Sequence, residues 1–203
     1  MTAQLLEAMP AAARVVAVEP VDAMRAELAA AAPRAQVLAG TAEALPLADG
    51  AADMLVVAQA FHWFATRAAL AEFARVLRPG GHLVLVWNDR DTTVPWIRRL
   101  EEEIIGPAYP PDVPRQQTGA WRTAMAEAAD LFTASGTVDS HYEQPGGLPM
   151  VVDRVLSLSV VNRLPADEQA AIQARVEALA TAEHLPPDVH FRYTSAAHLF
   201  IRN

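Results

Sequence analysis

The sequence predicts an α/β fold in which a mostly parallel sheet carries helices on both faces. Three observations lead there. Short apolar, β-branched runs recur at residues 14–19, 36–39, 54–60 and 82–87, read as buried strands. Helix-forming segments separate most of them, and parallel neighbours require crossovers of that length. The helical segments that separate these strands are stopped by proline, at Pro33 and at Pro79.

Taken in order, Leu5, Leu6 and Met9 fall at helical spacing until Pro10. Residues 14–19 are a strand that ends in the acid Glu19 and is followed by Pro20. Residues 22–32 are helical, with Met24 and Leu28 four apart and Pro33 as the stop. Residues 36–39 form a short strand, and 41–50 a loop carrying Pro46 and the turn signal Asp49-Gly50. After the strand at 54–60, residues 67–77 form a helix expected to bury Leu70, Phe73, Ala74 and Leu77. Arg78-Pro79-Gly80-Gly81 then reads as a tight helix-to-strand turn into 82–87. Residues 95–105 are helical, 106–119 a proline-rich loop long enough to act as a lid, 121–132 helical and 137–142 a strand. Helices at 150–161 and 167–183 and an extended segment at 189–202 complete the chain.

A chain of 203 residues suits one domain. With 16 Lys and Arg against 24 Asp and Glu the net charge is −8, so its field repels a phosphate backbone and disfavours nucleic acid. There is no cysteine, which excludes thiolate catalysis and cysteine-based metal sites. The histidines lack metal-ligand spacing, so no metal is expected. No basic leader and no long uncharged apolar run is visible, which makes a soluble cytoplasmic protein the expectation.

In open α/β sheets a ligand sits beyond the carboxyl ends of the strands. Glu19 stands at such an end, where a carboxylate can accept both ribose hydroxyls of an adenosine cofactor or simply be a solvated acid. The run Gln59-Ala60-Phe61-His62-Trp63-Phe64 holds three aromatics and a histidine that cannot all face one core, so some of them face the crevice. His62 has the chemistry of a general base, the alternative being a backbone-bonded residue that orients Trp63. Asn88 and Asp89 follow the last parallel strand and either bind a polar acceptor group or turn the chain.

The run from Asp53 to Asn88, with Val15 to Pro20 upstream, resembles the class I S-adenosylmethionine-dependent methyltransferases of the type 11 small-molecule branch. The "LRPGG" turn, the "AFHWF" loop and the later Asp153-to-Ser159 and Tyr193-Thr194 stretches carry that likeness. It implies a Rossmann-like methyltransferase fold in a single domain, 1–203, with a cofactor-side half, 1–90, and an acceptor-side half, 91–203, and methylation of a small-molecule acceptor with S-adenosylmethionine as cofactor. It also implies that Glu19 and Met24, Thr41-Ala42-Glu43 at the adenine edge, and Gln59 and Ala60 beside the methyl group hold the cofactor. Phe61 and Trp63, with Asn88, would shape the acceptor side. Thr41 has an ordinary capping role as its alternative.

The likeness also implies a departure. The first glycine is Gly40, so the family's first strand and glycine-rich loop are missing, as in a truncated, wrongly started or decayed relative. In the family's strand order that leaves two central apolar edges unpaired or forces them together, and unpaired edges favour homo-oligomers. A non-catalytic binding or self-association domain is thus the alternative to an enzyme. A nicotinamide-dependent oxidoreductase ranks last, because it needs the same glycine signature.

Overall fold

The computed structural model describes residues 2–203. Its elements follow the expected alternation: α1 (Thr2–Ala8), β1 (Val16–Val18), α2 (Asp22–Ala31), β2 (Gln36–Leu38), β3 (Ala52–Ala58), α3 (Arg67–Val76), β4 (Leu77–Arg90), α4 (Pro95–Arg99), α5 (Ala120–Glu127), β5 (Phe132–Gln144), α6 (Gly147–Leu156), α7 (Ser159–Asn162), α8 (Ala166–Ala182) and β6 (Phe191–Arg202). A 3-10 turn covers Phe61–Trp63, and a π-helical stretch, Leu100–Ile105, extends α4. The fold is Rossmann-like α/β. Among the described residues no helix is long and apolar enough to cross a membrane.

The chain divides into two compact units. One takes the residues up to Val86 together with Arg115–Thr137 and Ala197–Asn203; the other takes Trp87–Pro114 and Val138–Ala196.

In the first unit β1 pairs with β2 in parallel, Ala17 opposite Val37, and β3 pairs with β4 in parallel, Leu55 opposite Leu83. These pairs belong to different sheets: β1-β2 stands alone, and β3 is the end strand in the order β3-β4-β6-β5. Of the two outcomes anticipated for the central edges, the unpaired one is found. Among the described residues β1 and β3 each have one partnered edge. The consequence shows in burial, since every residue of β1 is half-buried and Met54 of β3 is 52% exposed. α2 likewise has no buried residue. The core of this unit forms between α3 and the β3-β4 pair, from Leu70, Phe73, Val76, Leu77, Leu83 and Leu85.

The Arg78-Pro79-Gly80-Gly81 stretch corrects the expectation of a turn before the strand, because it lies inside β4. Leu77 pairs with Ala52 and His82 with Met54, so a five-residue advance on β4 meets a two-residue advance on β3. The surplus loops out as an irregularity. Gly80 has φ +72°, and a Cβ at Gly81 would meet the Arg78 carbonyl oxygen at 2.8 Å.

The second unit is built on Trp96, which stacks on Phe191 at 5.5 Å, with Leu100, Val151, Val176 and Leu179 packed around them. The expected helix over 150–161 is two helices. Ser157 Oγ donates to the Arg154 carbonyl, and Leu158 is extended (ψ 134°), a local side-chain bond that competes with helix continuation. Within this unit Asn88 meets Ser195 and Asp91 meets Arg192, so β4 and β6 run antiparallel here.

Candidate active site

Glu19 follows β1 and donates its backbone N–H to the Leu38 carbonyl (3.1 Å), fixing the strand end. Its side chain is not loose: Val21 N–H donates to Glu19 Oε1 at 3.0 Å. Val21 is the residue before α2, and Arg25 from the first turns of α2 donates to the Glu19 and Pro20 carbonyls (3.0 and 2.8 Å). The carboxylate is therefore aimed by backbone, and Arg25 ties down the main chain that carries it, while Oε2 accepts no hydrogen bond from the described residues. Such a carboxylate can receive a pair of hydroxyl donors. Met24, one residue before Arg25, is 58% exposed on α2.

Thr41, Ala42 and Glu43 form a tight turn after β2, closed by Ala44 N–H to the Thr41 carbonyl (3.2 Å). A Cβ at the preceding Gly40 would sit 2.7 Å from Pro46 Cδ and 2.9 Å from Val18 Cγ1, so glycine is needed for the close approach of this loop to β1.

The loop that follows is clamped by two residues of α3 that sequence reasoning missed. Glu72 accepts Leu45 N–H at 2.7 Å, and Arg75 donates to the Leu45 and Leu47 carbonyls (3.2 and 2.9 Å) and to Asp49 (2.7 Å). Arg75 also donates to both Glu72 oxygens. That bond holds the Glu72 carboxyl below its usual range, with Leu45 N–H assisting against burial. The i, i+3 spacing of Glu72 and Arg75 was the available signal, but it does not reveal the loop as their partner.

β3 ends at Ala58, and Gln59 leaves it with φ +57°, a left-handed conformation unusual for a residue with a Cβ. Its N–H donates to the Val86 carbonyl at 2.9 Å, so the turn is tied to β4. Ala60 opens the 3-10 turn by accepting Trp63 N–H. The aromatics then separate as the sequence required. Phe61 is fully buried, 6.0 Å from Phe64 and 6.3 Å from Phe73. The 3-10 turn points it at α3, where Phe73 meets it. Trp63 is 49% exposed, and the half-buried His62 packs on it at 5.3 Å between centroids. Burial lowers the His62 pKa below its ordinary value, so the imidazole is neutral near pH 7 and able to accept a proton.

Asn88 belongs to the second unit, exposed on β4, where its Oδ1 accepts the Ser195 hydroxyl at 2.8 Å. Three residues on, Asp91 is a buried carboxylate that sequence reasoning passed over. It accepts the Thr93 hydroxyl (2.5 Å) and N–H (3.1 Å) and faces Arg192 at 3.5 Å. The Thr93 hydroxyl chiefly holds the Asp91 carboxyl below its usual range. The residue starts the turn into α4, whose Pro95 was the readable sign. Among the described residues no cluster of His, Asp and Glu has the makings of a metal site.

Comparison with known proteins points to methyltransferases. Residues 1–85 match a family model described as a methyltransferase domain. An uncharacterised methyltransferase of Mycobacterium tuberculosis is 53% identical over 92 residues, covering 45% of this chain and 37% of that protein. An uncharacterised methyltransferase-like protein of Schizosaccharomyces pombe is 36% identical over 153 residues, covering 73% of this chain and 56% of the relative. The chain thus spans about half or less of the length of these relatives. Among solved structures, a protein assigned as a type II methyltransferase from Anaeromyxobacter dehalogenans superposes with a TM-score of 0.64 at 24% identity, over 93% of this chain and 79% of that one. One assigned as a methyltransferase from Bacillus halodurans gives 0.57 at 16%, over 93% and 83%. At these identities the structural likeness speaks for the fold.

Proposed function

Because the chain belongs to the class I S-adenosylmethionine-dependent methyltransferases, we propose that it transfers a methyl group from S-adenosylmethionine to a small-molecule acceptor. The observation that carries this reading is the Glu19 carboxylate, aimed at a strand end by Val21 N–H with one oxygen left for ribose hydroxyls. The Thr41-to-Glu43 turn and the left-handed Gln59, followed by Ala60, add backbone groups suited to the rest of the nucleoside. The residues present therefore fit the adenosine half of the cofactor.

Bound in this way, the cofactor supplies a methyl group on a sulfonium that is already an excellent leaving group. What the protein adds is mainly placement and exclusion of water. Trp63 offers an exposed aromatic wall to an acceptor, and neutral His62 is available to take a proton from an acceptor hydroxyl or amine. Titration calorimetry with S-adenosylhomocysteine tests the reading. The wild-type chain should bind it and Glu19→Ala should bind about tenfold or more weakly, the worth of a charge-assisted hydrogen bond. Equal binding by both proteins would remove Glu19 from the site.

A further inference from the structure

The second unit carries a group of side chains that the proposed cofactor site does not use. Tyr193 on β6 is buried, with 6% of its surface exposed, and its hydroxyl accepts a hydrogen bond from Arg154 Nε of α6 at 3.3 Å. The guanidinium also lies over the Tyr193 ring, 5.9 Å from its centroid. Tyr142 of β5 is stacked against Tyr193 at 6.4 Å and 26°, yet is 53% exposed. Ser195 shares the sheet face of Tyr193 two residues on and donates to Asn88.

The hydrogen-bond directions select the ligand. Because the Tyr193 hydroxyl accepts from Arg154, its own proton remains to be donated. Arg154 keeps the N–H groups of both terminal nitrogens and its charge, and forms no ion pair with an acid among the described residues. A buried phenol and a guanidinium side by side thus present donors and positive charge, which suit a carboxylate. Exposed Tyr142 beside them offers a π-face to a flat group attached to that carboxylate. The chain's net charge of −8 disfavours a polyanion but leaves a single carboxylate tolerable next to Arg154.

We propose that Arg154, Tyr193 and Tyr142 form a binding site for a small planar monocarboxylate. Arg154 anchors the carboxylate, the Tyr193 hydroxyl donates to its second oxygen, and Tyr142 covers the plane.

The probe is trans-cinnamate, compared with the neutral trans-cinnamamide by titration calorimetry on the 203-residue chain. Wild type should prefer the acid by about tenfold or more, Arg154→Ala should abolish the preference, and Tyr193→Phe should lower acid binding by about threefold. Arg154→Lys should retain part of the preference, since charge persists without the fork. Tyr142→Ala should weaken acid and amide alike. Adenosine binding, measured on the same samples, should be unchanged by Arg154→Ala, which also shows that the variant is folded. Equal binding of acid and amide, undetectable binding of cinnamate, or an undiminished preference in Arg154→Ala would overturn the site. Failure of wild type to bind adenosine while cinnamate still binds would instead overturn the methyltransferase reading and leave this site standing.

Discussion

Val21 N–H and the Glu19 carboxylate are joined at 3.0 Å, so the acid that ends β1 is oriented by the backbone that begins α2. Arg25 fastens the same corner from within the helix through the Glu19 and Pro20 carbonyls. The side chain expected to meet a ribose is thus held before any ligand arrives. Glu19→Asp should weaken nucleoside binding nearly as much as Glu19→Ala, because the shorter acid cannot keep both the Val21 bond and its reach. Calorimetry with S-adenosylhomocysteine gives the comparison, and full retention by Glu19→Asp would show that the orientation is unimportant.

Glu72 should govern the acid stability of the 41–50 loop. Its carboxyl is held below the usual range, so its contribution is complete above the unfolded value near 4.5 and is lost as pH falls through the lower folded value. Glu72→Gln should destabilise the protein by about 1 kcal/mol near neutrality, and the gap to wild type should close on acidification through that window. Urea unfolding at pH 7 and below pH 4 measures both. A gap that widens in acid would reverse the assigned sign.

Phe61 and Trp63 should separate stability from binding. Phe61 is fully buried against Phe64 and Phe73, so Phe61→Ala should cost about 3–5 kcal/mol. Trp63→Ala, at a half-exposed position, should change stability by about 1 kcal/mol or less and act on acceptor affinity instead. Chemical denaturation of the two variants distinguishes the roles, and similar losses in both would mean that Trp63 is also a core residue.

The His62 proton should leave early. Burial lowers its pKa below 6.5, so between the folded and unfolded values the unfolded chain binds more protons and stability rises with pH. An NMR titration should show one imidazole, absent in His62→Asn, with a midpoint below 6.5. A midpoint above that value would remove the neutral base.

Much of this was legible beforehand because apolar periodicity and terminators are local. Strands at 16–18, 36–38 and 52–58 and helices at 22–31, 67–76 and 166–182 fall close to where Val, Pro and Gly place them. Glu19 at the strand end and the mixed facing of the Phe61-to-Phe64 aromatics followed from the same logic. What the chain hid was tertiary. Nothing local marks Glu72 and Arg75 as a clamp on a loop some thirty residues upstream, or Arg154 as the partner of Tyr193. The looped-out Pro79-Gly80-Gly81 inside β4 likewise depends on its register with β3.

The partnered-on-one-side strands β1 and β3 should make the chain self-associate, since apolar edges pair with available strands. Light scattering should show a mass that rises with concentration, and Met54→Lys, placing a charge on the exposed flank of β3, should reduce it. A strictly monomeric wild type across the range would contradict this.

Whether Glu19 holds the ribose of an adenosine ligand is decided by a binding cycle. Adenosine and 2′,3′-dideoxyadenosine are titrated into wild type and Glu19→Ala. Wild type should prefer adenosine by about tenfold or more, and the variant should bind both with the same reduced affinity, because the hydroxyls and the carboxylate are one interaction. A preference for adenosine that survives intact in Glu19→Ala would contradict the account.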